Sequence, residues 1–412
     1  MATAISTSAV AQMHAATAQA DVAEKVRAAH DASQALYPVG GGTSLDFGPT
    51  AAQPGQNLDL TVLDRVVDYT PRDMTILLEA GVKMADLAAT LDAEGQVLPI
   101  DVPRAADATI GGVVATNWSG PRRYGHGTMR DYVIGIHAVD GRGTPFKGGG
   151  RVVKNVAGYD FCKLLTGSLG TLAVVTQLAL KVKPKPELSA AVVGGFADMA
   201  AVERALEGLA LLETPPVAID LLVGKGWTAA DGASAQLAVR LEGTEQEIAW
   251  LVEAVLRGMT IAGSGACHRL ADAESDALWQ RQVEFSDRGV TESDDGSPMV
   301  MKISVPPSAV VGVVQGLLAV DANCTIQAHA GNGILMVRFS EFRQEQVSKV
   351  LVANLRPAAI RLWGSLVIVK SKLEGLTPHL IWGGRTDQTV LLEQIKRQFD
   401  PRGILNPGRF VF

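Results

Sequence analysis

The sequence predicts an α+β protein of two units, the second built on an antiparallel sheet with helices on one face. Three observations predict it. First, 412 residues exceed one ordinary domain, and Lys183-Pro184-Lys185-Pro186 breaks the chain where neither proline can donate to a ladder. Second, the half before that break alternates short strand patterns with glycine clusters and brief helices. Third, the half after it interleaves helical periodicity at 198–212, 244–257, 272–285, 308–318 and 342–355 with strand-like runs. Those runs fall at 217–223, 235–241, 299–305, 325–328, 334–339 and 365–369, and Asn332-Gly333 reads as a tight hairpin turn between two of them.

The elements follow in order. Residues 1–20, rich in Ser, Thr, Gln and Ala, read as a frayed, weakly helical end with no basic, apolar targeting pattern. Residues 19–36 read as a helix, because Val22, Val26, Ala29 and Leu36 share one face. A strand then enters the glycine-rich run at 37–48, which no helix could hold. Residues 57–80 read as short strands with a turn at Thr70-Pro71-Arg72-Asp73. Met84, Leu87 and Leu91 recur at helical spacing, and Gly95 closes that helix. Residues 132–147 read as a hairpin around Asp140-Gly141. Alternation at 178–183 reads as a half-exposed strand.

Composition excludes several classes. Lys plus Arg number 37 against 43 Asp plus Glu, a net charge of −6, which argues against nucleic acid as a partner. A 47% hydrophobic and 19% charged chain builds a core. Cys162, Cys267 and Cys324 form no CxxC pair, so neither a zinc ribbon nor an iron–sulfur cluster is expected, and three reduced thiols suit a cytoplasmic protein. The longest apolar stretch, 309–320, is too short to span a bilayer, so membrane contact is at most peripheral.

Three small-residue clusters carry the chemistry. The first is Pro38, Gly40, Gly41, Gly42, Thr43 and Ser44, where successive glycines let backbone amides and two hydroxyls converge on an anion. A tight turn uses the same residues. A dinucleotide fingerprint would need glycine at Leu45, and a P-loop would need lysine at Thr43. The second holds Thr109, Gly111, Gly112, Asn117, Ser119, Gly120, Tyr124 and Gly125; the third holds Asn155, Gly158, Tyr159, Gly167, Gly170 and Thr171. Three such loops suggest one long ligand with a central diphosphate. His126 reads as a surface or hydrogen-bonding residue or as a contact to the ligand or substrate, and His137 as structural. Arg130-Asp131 reads as an ion pair or a ligand contact. Arg122-Arg123 reads as a solvated turn, an anion contact or a patch for an acidic partner.

PVGGGTS, TIGGVVATNWSG, YGHGTMRDYV, KNVAGYDFCKLLTGSLGTLAVVTQ and the tail FDPRGILNPGR together resemble the vanillyl-alcohol-oxidase-like family of FAD-linked oxidoreductases. The resemblance implies a PCMH-type FAD-binding domain of two α+β subdomains at 31–185, preceded by a segment at 1–30. It implies a ferredoxin-like α+β cap with an antiparallel sheet at 186–395, and a C-terminal segment at 396–412 returning to the FAD domain. It implies FAD held by the three clusters with Tyr124, Arg130, Val175 and Asn406. The first loop has no histidine, so the FAD is expected to be non-covalent.

KNVAGYD, KLLTGSLGT and the tail resemble the glycolate oxidase and D-lactate dehydrogenase branch, and within it the smaller FAD-binding subunits of glycolate oxidase complexes. Catalytic members carry His-x-Gly-Asp-Gly-Asn-x-His; here His329-Ala330-Gly331-Asn332-Gly333-Ile334-Leu335-Met336 keeps one histidine, and no Glu-His-Gly lies between 358 and 385. One imidazole is a poor metal site, so no metal is expected and no catalytic residue is assigned. The resemblance implies electron transfer or assembly beside a larger flavin subunit and an iron–sulfur subunit, with a small 2-hydroxy acid as substrate: glycolate to glyoxylate for the complex. Its expected place is the cytoplasm, or the inner face of the membrane through that complex. A self-sufficient FAD-linked D-2-hydroxyacid dehydrogenase stays open, as does a structural subunit without flavin, against which the retained glycine loops argue.

Overall fold

The computed structural model describes residues 10–15, 18–49, 51, 53–150, 158–227, 233–287, 299–339, 342, 344–371, 373 and 375–411. Contacts divide the chain into two units. The first comprises 1–119, 128–185 and 376–412, and the second 120–127 and 186–375.

In the first unit, strands Val10–Ala15 and Ala35–Val39 flank Gly55–Asp59 in an all-parallel sheet. The N-terminal segment is therefore a strand where the sequence reads a weak helix, because pairing with Gly55–Asp59 overrides its low strand propensity. Helix Gln19–Asp31 buries Val22, Ala23, Val26 and Ala29 against Leu36, Leu58, Leu63 and Leu405. It stops at Asp31, short of the expected 36. Ser33 turns left-handed at φ 52°, and the following residues are taken into the parallel sheet.

An antiparallel sheet follows in the order Val66–Thr70, Thr75–Glu79, Ala173–Lys181, Val133–Asp140, Pro145–Gly149. Strand Ala173–Lys181 is its middle strand. Leu178, Leu180 and Val182 are buried while Lys181 is exposed and Lys183 half-buried, as the alternation predicts, and only Ala179 departs from it by being buried too. Pro184 pairs only briefly, with Gln96.

The chain returns to this unit at 376, not 396. Helix Asp387–Phe399 sets Ile395 and Phe399 against the core, and the Phe399 ring lies 5.7 Å from Phe146 and 6.0 Å from Phe161. Aromatic contact outweighs chain proximity to the cap.

The second unit is one antiparallel eight-stranded sheet. Its order is Cys267–Arg269, Leu188–Phe196, Ala235–Gly243, Ala218–Val223, Thr325–His329, Ile334–Arg338, Met299–Ser304, Ser365–Ser371. Leu188–Phe196 escapes a sequence reading because alanine and glycine replace β-branched residues there; its nine pairs with Ala235–Gly243 define it. Ile219, Leu221, Ile326, Ala328, Met301, Ile303, Leu335 and Val337 are buried on one face. Helix Glu245–Ala262 packs on this sheet. It starts at a Thr244–Glu247 capping box and ends at Gly263 with φ 100°. Among the described residues no helix is long and apolar enough to cross a membrane.

Candidate functional site

The first unit carries a cleft of about 100 Å³. Loop 37–45 forms one wall; Thr109, Gly112, Ala115 and Thr116 form another; Leu169, Asn406 and Arg409 complete it. Local geometry explains the glycines. A Cβ on Gly41 would lie 1.7 Å from the Asp107 carbonyl oxygen, and Gly42 sits at φ 71°. The loop thus hugs the 107–109 backbone.

This brings Pro38, Gly40, Gly41, Gly42, Thr43, Ser44, Thr109, Gly112 and Asn406 to one cleft. Asn406 reaches across it. Its backbone N–H donates to Leu36 at 3.0 Å and its Nδ2 to Leu169 at 2.7 Å. A Cβ on Gly170 would lie 2.9 Å from that Nδ2, and one on Gly167 3.4 Å from the Asn117 Cβ. Asn117 caps helix Ile110–Thr116 in the left-handed conformation, and its Oδ1 is buried with no hydrogen-bond partner.

Other expected residues go elsewhere. Gly111 packs on Ala80. The Thr171 hydroxyl donates to the Ser168 carbonyl at 2.6 Å, and Val175 packs on the core. Gly158, Tyr159 and Arg130 are exposed and do not line the cleft. Asp131 serves a capping box with Thr128. Ser119 ends a segment of the first unit, and Gly120, Tyr124 and Gly125 belong to the second. Asn155 lies outside the described residues.

In the second unit, Tyr124 covers Gly331, where a Cβ would sit 2.5 Å from the ring, and the Gly125 N–H donates to the Val217 carbonyl at 3.0 Å. His126 Nε2 lies 2.8 Å from Glu242 Oε2, and Arg122 Nη1 3.3 Å from Oε1. Arg122 is therefore an internal ion-pair partner and not a solvated turn. Arg240 lies over the Trp279 ring at 4.3 Å and 3.6 Å from Glu242. Burial alone would raise Glu242. The His126 hydrogen bond and the Arg122, His126 and Arg240 charges outweigh it and hold the carboxyl at about 2.

A depressed carboxyl stabilises the fold above its ordinary 4.5, and the contribution disappears as pH falls through about 2. Wild type is expected to lose about 3 kcal/mol more than Glu242→Gln across that window, read from urea midpoints. Parallel pH profiles for the two proteins would refute the assignment.

Register puts Arg240, Asp220, Gln327, His329, Lys302 and Arg338 on one face of the sheet, opposite the apolar one. Asp220, fully buried, accepts from His329 Nδ1 at 2.8 Å, Gln282 Nε2 at 2.7 Å and Gln327 Nε2 at 2.8 Å. Its carboxylate fixes the imidazole with the proton on Nδ1, leaving Nε2 as the acceptor nitrogen. Nε2 makes no hydrogen bond among the described residues. Lys302 lies two strands from Gln327, roughly 10 Å by strand spacing. Burial, with Arg123 nearby, brings its ammonium down to about 8, and it makes no ion pair among the described residues. Among those residues, no three His, Cys, Asp or Glu side chains converge on a metal-sized site. Burial pushes the Cys162 and Cys324 thiols up to about 11 and 12, which leaves them inert.

The sequence reading missed Asp220, Lys302, Glu242 and Arg409. Asp220 and Lys302 were visible as lone charges inside apolar strands, AIDLLV and MVMKIS. The residues present fit the dinucleotide that the resemblance implies: a cleft walled by glycines and hydroxyls, which suits its diphosphate, and an orphaned buried acceptor at Asn117.

Comparisons with known proteins agree. The family model for the FAD binding domain matches residues 10–149, and that for the C-terminal domain of FAD linked oxidases matches 186–367 and 385–410. The chain is 29% identical to the glycolate oxidase subunit GlcE of Escherichia coli, over 86% of this chain and 87% of that protein. It is 25% identical to the glycolate oxidase subunit GlcD of Bacillus subtilis, over 91% and 83%. Among solved structures, p-cresol methylhydroxylase with substrate bound superposes with a TM-score of 0.74 at 15% identity, over 98% of this chain and 90% of that one, a likeness of fold.

Proposed function

The chain belongs to the family of FAD-linked oxidoreductases, with FAD as its cofactor, and from that premise we propose that it is the FAD-binding subunit of a glycolate-oxidase-type complex. In this reading a larger flavin subunit oxidises the 2-hydroxy acid and an iron–sulfur subunit accepts the electrons. FAD, when bound, would supply this chain with a redox carrier for one or two electrons. The cleft residues Gly40, Gly41, Gly42, Thr43 and Ser44 hold its diphosphate, and Asn117 accepts a ligand N–H. The observation that carries the subunit reading is the fate of the single retained histidine. His329 is bound by Asp220, while Leu335 and Met336 sit where catalytic relatives would place a second imidazole.

A second reading, oxidation by this chain itself, is favoured by the same face of the sheet. Nε2 of His329 could take the hydroxyl proton, with Asp220 stabilising the charge, and Lys302 could pair with a substrate carboxylate.

One titration separates the two. The FAD-loaded chain is mixed anaerobically with glycolate or D-lactate while its visible flavin band is followed. The subunit reading expects stable colour alone and bleaching once partner subunits are added. Bleaching by the isolated chain at turnover rate would overturn it in favour of the second reading. Loss of that bleaching in Lys302→Met would then locate the carboxylate contact.

A further inference from the structure

We propose that Arg409, in the C-terminal tail, is the cation that binds the diphosphate of FAD in the glycine-loop cleft. The inference rests on the reading that this cleft holds the diphosphate. Among the described residues, every other one lining it is neutral, from loop 37–45 through Thr109, Gly112 and Thr116 to Leu169 and Asn406. A dianionic diphosphate among amides and hydroxyls alone keeps its charge uncompensated. One guanidinium in the wall supplies both charge and a forked donor geometry.

The tail is built to place that guanidinium. Asn406 bonds the strand on one side of the cleft through Leu36 and the turn on the other through Leu169. Behind it, Lys396 donates to the Thr171 carbonyl, the Leu405 carbonyl and the Asp400 carboxylate at 2.6, 2.9 and 2.6 Å. Asp400 in turn accepts from the backbone of Ile404 and Leu405 at 3.0 and 2.7 Å. Three residues on, Arg409 donates one hydrogen bond, Nη1 to the Pro49 carbonyl at 2.6 Å. Its other nitrogens make none among the described residues. Asp46 and Tyr37 are the charged and titratable groups facing it, and burial disfavours its cationic form. A guanidinium held in a wall, with most of its donors uncommitted, is a site for an anion.

A merely structural Arg409, clamping loop 46–49 through Pro49, would act on every flavin alike. The test therefore compares FAD with riboflavin, which has no phosphate. Apo protein is titrated with each, following flavin fluorescence. Arg409→Gln is expected to weaken FAD by roughly 10- to 100-fold and to leave riboflavin within about twofold. Arg409→Lys is expected to recover about half of that loss on a logarithmic scale, and to stay below wild type. Unchanged FAD affinity, or equal losses for both ligands, would overturn the assignment. If Arg409→Gln does not fold, Arg409→Lys still decides: its FAD-to-riboflavin affinity ratio falls below wild type if the fork binds diphosphate and matches wild type if it does not. Thr43→Val separates the premise from the proposal. Loss of FAD affinity in Thr43→Val with none in Arg409→Gln leaves the cleft standing and removes Arg409; no loss in either removes the cleft as well.

Discussion

Gly41→Val is expected to yield a colourless protein. The Cβ of any residue at 41 would stand 1.7 Å from the Asp107 carbonyl oxygen and 2.7 Å from its carbon, both backbone atoms that cannot rotate away. Either loop 37–45 or the 107–109 segment must move, and both wall the cleft. FAD affinity should fall at least roughly 100-fold, about 3 kcal/mol or more. Gly208→Ala is the control. Gly208 lies within helix Met199–Ala210 with open space around its Cβ, so alanine there should keep the flavin and add up to about 1 kcal/mol of stability. The check is the visible absorbance of the purified proteins beside their urea midpoints. A Gly41→Val protein that carries stoichiometric FAD would show that this loop does not hold the cofactor.

Asp220→Ala is expected to cost the second unit about 3–5 kcal/mol. It leaves three donors without an acceptor, on His329, Gln282 and Gln327, at a position with no solvent exposure. Asp220→Asn should cost less than half as much, since its oxygen can still accept and the glutamine amides can turn to meet its NH2. It should also release the imidazole from a single tautomer, visible in the nitrogen chemical shifts of His329. If Asp220→Ala unfolds at the wild-type urea concentration, the network contributes nothing to the fold, and its place on the polar face needs another explanation.

How much of this was legible depends on the range of the interaction. Gly40, Gly41, Gly42 and Thr109 were readable because a close backbone approach admits few residue types. Their partner across the cleft, Asn406, was readable only through the resemblance of the tail. Tyr159 and Val175 carried family-like surroundings, yet one is exposed and the other packs on the core. Glu242 was invisible, since nothing in LEG announces that Arg122 and His126 converge on it from 120 and 116 residues away, with Arg240 from two positions back on the same strand.

FAD was named through the resemblance of the motifs; the sequence by itself determined the close-approach glycine loops, the α+β character and the alternation that sends each strand residue to one face or the other. Those follow from local sterics and periodicity, which neighbouring residues set. Tertiary structure alone decided that the N-terminal segment is a strand, that the chain rejoins its first unit at 376, and that Asp220 meets His329. Each depends on which distant segment supplies a hydrogen-bond partner or an apolar surface. That choice is made by the free energy of the whole packed unit and not by any window of the chain.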